Sequence, residues 1–411
     1  MVEKGYKLTE VGAIPIDWEL NSIDELIDLL TDFDSNGSFA SVAENVKVYD
    51  YEEFAWYVRS TDLENRTKMN EVRYVDKASY DFLKKTSLFG GELLFLKRGD
   101  IGRVYLFKKQ SNFATVAPNL YLLKINSRTR PEYLYYFFNT QLGQNQLKSK
   151  NASSTLGALY KDDVKSIIVP LPTLHEQAAI AEALSDMDAQ IAQTEKLIEK
   201  KKAIKKGMMQ ELFTPKEGWV TKKLEDLCVI IKSGGTPLTS NPNFYNGEIP
   251  FLSIGDMTSQ GKYLKYTTST ISREGLESSA SWIVPKNSII YSMYASVGYV
   301  SITKVELAIS QAVLCMIFKS SLNLSYMYYY LLSIQTKVLM YVGEGTQKNL
   351  NAATVKQFDV YLPSLTEQLQ IAEILNDQDN EISLLETKLQ KLKYQKQGMM
   401  QALLIGKIRL I

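Results

Sequence analysis

Two cysteines, one histidine and a scatter of carboxylates are what this 411-residue chain offers for covalent or metal chemistry. Cys228 and Cys315 lie far apart without ligand spacing, and His175 is alone, so no zinc site is expected. Nucleophilic catalysis through Cys–His or Ser–His would have to recruit His175, which sits at a helix start with no partner nearby in sequence. A solvated helix histidine is the simpler reading. The stretch GDMTSQGK from Gly255 has one residue too many between its glycines for a phosphate-binding loop, and Tyr263 stands where a magnesium-binding hydroxyl belongs. No G-x-G-x-x-G follows a strand-like run, which leaves a dinucleotide site without support. Asp186 and Asp188 recur as Asp377 and Asp379, and read as a solvated face or a partner surface, not a metal site. The residue types point away from an enzyme.

What positions these residues is a duplication. The stretch Val169–Phe213 returns without a gap as Val360–Leu404, 191 positions on, with roughly half the residues identical. LPTLHEQAAIAEALSDMD and KKGMMQEL in the first copy answer LPSLTEQLQIAEILNDQD and KQGMMQAL in the second. Pro172 and Pro363 end whatever precedes them. Thr173 with Glu176, and Ser364 with Glu367, have the spacing of a capping box at a helix start. Beyond the caps, Ile371, Leu375, Gln378, Ile382, Leu385, Leu389 and Leu392 step alternately by four and three. Ile180, Leu184, Met187, Ile191, Thr194 and Ile198 keep the same frame before the first copy turns lysine-rich. That is a heptad seam with a polar position. Two such helices are expected to pair antiparallel, closing a tandem repeat with pseudo-twofold symmetry. The plainer alternative packs each helix on its own neighbouring module.

The repeat continues faintly outside the helices. Trp18 aligns with Trp219, Asp62 with Asp256, Gly102 with Gly298, and the run Pro131–Phe138 with Ser325–Leu332. Thr155 aligns with Thr346 and Val164 with Val355. The fold class expected is therefore α+β: two tandem mixed modules, residues 1–168 and 214–359, separated and bridged by helical regions 169–213 and 360–411. Leu93–Leu96, Val104–Phe107, Ile289–Tyr291 and Val313–Phe318 are strand candidates, and the tyrosine-rich runs read as packing helices. A period near 190 is too long for a solenoid.

Composition bounds the partners. With 47 basic against 46 acidic residues the formal charge is +1, so any nucleic-acid contact needs locally clustered cations or help from other subunits. The start MVEKGYKLTEVG lacks a signal peptide's apolar core, and no run of about 18 apolar residues suggests a membrane span. A cytoplasmic, reduced protein is expected.

The order module, helix, module, helix resembles the specificity subunit of type I restriction–modification systems. So do the P-L-P-[TS]-L-x-E-Q-x-x-I-A-E and K-x-G-M-M-Q-x-L motifs and the stretch SGGTPLTSNPNFYNGEIPFLSIGDM. The resemblance spans essentially the whole chain. It implies that each module is a target-recognition domain reading one half of a bipartite, asymmetric site in double-stranded DNA. The helices would set the gap between half-sites and dock two methyltransferase subunits that methylate adenine, with ATP-dependent restriction subunits as a further partner. The chain itself would carry no catalysis and bind no cofactor; S-adenosylmethionine, ATP and magnesium would belong to the partners. One departure is the short stretch before Trp18, which leaves little to complete a circular repeat.

Direct readout requires donors and acceptors on loops. In the first module that selects Asn36, Gly37, Ser38, Arg59, Lys97, Arg98, Gly99 and Arg103. In the second it selects Lys232, Ser233, Gly234, Gly235, Thr236, Asn241, Asn243, Ser253, Ser292 and Tyr294. The glycines among them would let backbone amides approach phosphates closely. The competing reading of these stretches is turns with solvated charge. Helix pairing and subunit contact fall on Ile180, Leu184, Ile191, Ile198, Ile371, Leu375, Ile382, Leu385, Leu389 and Leu392. A related combined methylase–nuclease system, and a scaffold that bridges proteins without touching DNA, stay open as alternatives.

Overall fold

The computed structural model describes residues 4–150, 157–294, 296–341 and 350–410. It divides into two compact units, Met1–Thr194 with Lys388–Ile411, and Glu195–Thr387. Each long helix, Leu174–Leu212 and Leu365–Leu403, contributes one part to each unit.

In the first unit an antiparallel sheet runs Ile27–Asp32, Leu120–Ile125, Leu93–Leu96, Val104–Leu106. The second unit repeats that order with Cys228–Ser233, Val313–Phe318, Ile289–Ser292 and Val300–Thr303, and adds Tyr263–Leu264 in parallel at the edge. Both central strands are buried along their length, as β-branched and aromatic runs between two covered faces must be. A second four-stranded sheet accompanies each: Ala114–Val116, Ala55–Val58, Tyr74–Val75, Val48–Tyr49 in one unit, and Ser269–Ile271, Tyr245–Phe251, Leu307–Ala308, Ile283–Val284 in the other. In both, the strand beside the first tryptophan pairs with the strand leading into a long helix: Glu19–Ser22 with Ile168–Leu171, and Val220–Lys223 with Asp359–Leu362.

The helix seam serves two purposes. Ile180 and Leu184 join Trp18, Tyr133 and Phe137 in the first unit's core, together with Met400, Leu403 and Leu404 from the end of the other helix. Ile371 and Leu375 do the same in the second unit, with Met209 and Phe213. Each unit thus holds the start of one long helix and the end of the other, which makes the local pairing antiparallel. Ion pairs follow it: Asp188–Lys396 at 2.7 Å in the first unit, Lys201–Glu381 at 2.6 Å and Lys202–Glu386 at 2.6 Å in the second. Ile198, Ile382 and Leu392 are buried, whereas Ile191, Leu385 and Leu389 are only half-buried. Module packing at the helix starts and pairing further along coexist, so the plainer alternative describes the first turns.

The predicted capping boxes are half right. Thr173 and Ser364 hydroxyls accept from the Glu176 and Glu367 amides at 3.3 and 3.2 Å. The Glu176 carboxylate does not fold back; it accepts from the Trp18 indole at 3.1 Å and from Arg409 at 2.6 and 2.8 Å. Arg409 also grips Asp17, and Tyr6 donates to the Gly406 carbonyl at 2.9 Å. Gly406 and Arg409, after the second long helix, are thus joined to the first module around Trp18.

Candidate nucleic-acid interface

The tyrosine helices fix the frame on which any reading loops sit. Tyr133 donates to the Pro170 carbonyl at 2.6 Å and Tyr326 to the Tyr361 carbonyl at 2.6 Å. Tyr136 donates to Asp188 at 2.9 Å and Tyr329 to Asp379 at 2.6 Å. The repeat in these helices thus runs Tyr133 to Tyr326 and Tyr136 to Tyr329, one residue away from the alignment of Pro131 with Ser325. Asp188 also takes Lys396, and Asp379 takes Lys205. These two of the four helix acids are consequently not a solvated face: they anchor a module to the helix pair. Burial, and after it Asp379, pushes the Tyr329 hydroxyl pKa up, so it stays a donor.

Further repeats hold the loops. Asp62 accepts from the Arg59 amide at 3.2 Å and Asp256 from the Ser253 amide at 2.9 Å, each carboxylate buried at a helix start. Gly102 and Gly298 take φ of 112° and 78°, with the Gln144 and Gln335 amides against them. Those glycines end the matching loops that follow Leu93–Leu96 and Ile289–Ser292. The Thr155–Thr346 pairing lies outside the described residues.

The selected loop residues fare unequally. Arg59 is bidentate to Asp62, at 3.0 and 2.7 Å. Lys97 is 13% exposed and bridges Asp32 and Asp34, both at 2.7 Å. Burial alone would raise the Asp32 carboxyl, but hydrogen bonds from Lys97, Ser35 and Lys161 outweigh it and hold it at about 2. Lys97, selected for DNA contact, is engaged here as a clamp on its own loop. Ser292 is likewise engaged: fully buried, its hydroxyl donates to the Tyr294 and Ser296 carbonyls. Gly234 donates its amide to Ser310, and the Ile309 carbonyl fills the space a Cβ would need, so close packing explains this glycine without any phosphate. Gly235 packs on Ala280 less tightly, and the Ser233 carbonyl accepts from the Trp282 indole.

Asn36 donates to Phe33 and Thr86 and is largely spent inside its loop. Gly37 and Ser38 are exposed, and Ser38 caps the short helix Phe39–Asn45. Arg98 is exposed with no carboxylate partner among the described residues; Gly99 turns at φ 99°, and Arg103 pairs with Asp100 at 2.7 Å. Lys232 is exposed and lies over the Trp282 ring. Thr236 donates to Gln311, Asn241 caps Pro242–Phe244, Asn243 is exposed, and Ser253 is bound to Asp256. Tyr294 is 37% exposed. Outward-facing groups remain at Ser38, Arg98, Lys232, Asn243 and Tyr294. Sequence reasoning missed Phe39, 93% exposed beside Ser38, because a phenylalanine at a helix start normally signals core.

Cys228 and Cys315 are free thiols, each pushed by burial to about 12 and so unreactive. No group of three or more potential metal ligands occurs among the described residues, and no helix there is long and apolar enough to cross a membrane.

Comparison with known proteins agrees with this frame. A Methanocaldococcus jannaschii protein carrying the name type I restriction enzyme MjaX specificity subunit, a provisional assignment there, is 27% identical over 99% of this chain and 97% of its own length. A chain solved in work on complex assembly and conformational transition of the type I R-M system superposes with TM-score 0.63, covering 96% of this chain and 99% of that one at 14% identity. The S subunit from M. genitalium gives 0.55 at 17% identity, over 97% and 98%. At such identities these likenesses speak for the fold. The profile described as the type I restriction modification DNA specificity domain matches residues 15–203 and again 216–394. With two copies of that domain spanning nearly its whole length, the chain belongs to the type I restriction modification DNA specificity family.

Proposed function

We propose that this chain reads a split DNA site, one module per half-site, as the non-catalytic specificity subunit of a cytoplasmic methyltransferase complex. The observation that carries the reading is the duplicated frame bearing unlike loops. Identical anchors (Asp188 with Tyr136, Asp379 with Tyr329) hold modules whose outward residues differ, Arg98 and Ser38 in one, Lys232 and Asn243 in the other. Two readers of different sequence produce an asymmetric bipartite site. Helices of 39 residues, about 58 Å long, are stiff enough to keep half-site spacing constant where a flexible linker would not. Leu174 and its repeat Leu365 are both 48% exposed, and Leu384 is 71% exposed. Apolar side chains left on a helix surface suit docking of two methyltransferase subunits, which would bring S-adenosylmethionine. Restriction subunits, with ATP and magnesium, would complete an endonuclease.

Long-read methylome sequencing of a host expressing this chain with its methyltransferase tests the reading. A new adenine-methylated motif in two halves separated by a fixed gap is expected; the absence of any new motif overturns it. Inserting a heptad into both helices should lengthen the gap and leave both half-sites unchanged.

A further inference from the structure

The second unit contains a groove of about 1290 Å3 between the lysine-rich half of the first long helix and the sheet edge at Tyr263. Lys202, Lys205, Lys206, Lys262 and Lys337 line it, against Asp379 and Glu386. Lys205 and Lys202 are spent on those two acids. Lys206 and Lys337 are exposed and have no carboxylate partner among the described residues. In a chain of net charge +1, three cations without an ion-pair partner among the described residues, on one concave surface, are a local concentration that the overall balance hides.

Lys262 is the most telling of the three. Its ammonium is half-buried, donates to the Tyr329 hydroxyl at 2.8 Å and to Asn376, and lies 4.2 Å from the Tyr329 ring centre. Among the described residues no carboxylate comes within ion-pair distance of it. Burial lowers its pKa to about 8; Asp379 opposes the shift, while Lys205 and Lys304 add to it. An ammonium held this way at a groove wall is stabilised by any anion that enters. Polar side chains on the same walls, Gln210, Gln260 and Thr258 among them, supply further hydrogen-bonding groups. The first unit lacks a counterpart to Lys206: Gln397 stands there.

We propose that this groove binds the sugar–phosphate backbone of double-stranded DNA irrespective of sequence, with Lys206, Lys262 and Lys337 as its phosphate contacts. The inference rests on the DNA-reading function above and adds to it a one-sided anchor separate from the recognition loops. Such an anchor positions the duplex and carries no sequence information.

The test uses the full chain assembled with its methyltransferase, and two 30-base-pair duplexes (length about three helical turns) carrying either its own methylated motif or a scrambled one. In the Lys206→Gln, Lys337→Gln double variant, Kd should rise about tenfold for both duplexes, and the salt slope should fall by about 2. Wild-type affinity should decline above pH 8, approaching tenfold per pH unit, while Lys262→Arg holds its affinity to higher pH. Hydrogen exchange on each variant confirms the fold. Unchanged affinity in the double variant, with wild type still preferring its motif, overturns the groove and leaves the DNA-reading function standing. Loss of methyltransferase assembly with DNA affinity intact also overturns it, making the groove a protein surface. A wild type that binds neither duplex sinks both.

Discussion

Glu176 and Glu367 occupy the same place in two copies of one motif, yet their surroundings differ sharply. The Glu176 side chain is 1% exposed and held by Arg409 and Trp18; that of Glu367 is 32% exposed, with Lys216 at 3.8 Å. A duplicated sequence does not enforce a duplicated interaction. Arg409 reaches the first copy, where it makes a buried ion pair with Glu176, whereas Glu367 has a lysine at longer range. Buried pairs matter most when broken, because one charge is left without water or partner. Arg409→Ala should therefore destabilise the first unit by about 3–5 kcal/mol. Lys216→Ala should stay within about 0.5 kcal/mol. Urea unfolding followed by segment-resolved hydrogen exchange separates the two, and equal shifts would abolish the asymmetry.

The same contrast recurs more gently at the module anchors. Asp379 is 29% exposed and serves Lys205 and the fully buried Tyr329, whereas Asp188 is 40% exposed. Asp379→Asn should cost about 2–3 kcal/mol and Asp188→Asn about 1 kcal/mol, from lost charge-assisted hydrogen bonds of unequal burial. Removing Asp379 also takes away the carboxylate that supports the Lys262 ammonium, so the Lys262 pKa should fall further in that variant. Side-chain NMR of lysine amines reads that directly. A Lys262 titration identical to wild type would show that Asp379 does not reach it.

The comparison also explains what was legible in the chain. The 191-residue repeat, the central strands, the cap hydroxyls and the Asp62–Asp256 pairing follow from local patterns, and the structure keeps all of them. The tyrosine helices slipped by one because a run of tyrosines matches itself at several offsets; the distant Pro170 and Tyr361 carbonyls set the register. Lys97 looked like a reader because its partners Asp32 and Asp34 lie 65 and 63 positions away. Gly234 looked like a phosphate turn because Ile309, which crowds it, belongs to another segment. Side chains that would touch a ligand are those whose partners are missing, and absence of a partner leaves no trace in local sequence.

The two units should also answer oppositely to pH. In the first, burial would raise the Asp32 carboxyl, yet hydrogen bonds from Lys97, Ser35 and Lys161 bring it down to about 2 from its ordinary 3.8. Its folded pKa is depressed, so its contribution is present above pH 4 and is lost as pH falls through 2. In the second, Lys262 titrates at about 8 against 10.5. Here too the folded value is depressed, but for a cation this is a penalty, present below pH 8 and relieved as pH rises towards 10.5. Acid should therefore loosen the first unit, and mild alkali should tighten the second. Asp32→Asn should flatten the acid limb and Lys262→Met the alkaline one, each without moving the other in hydrogen exchange. If Asp32→Asn leaves the acid limb unchanged, the Lys97 and Lys161 clamp does not hold that loop, and Lys97 is released to reach DNA after all.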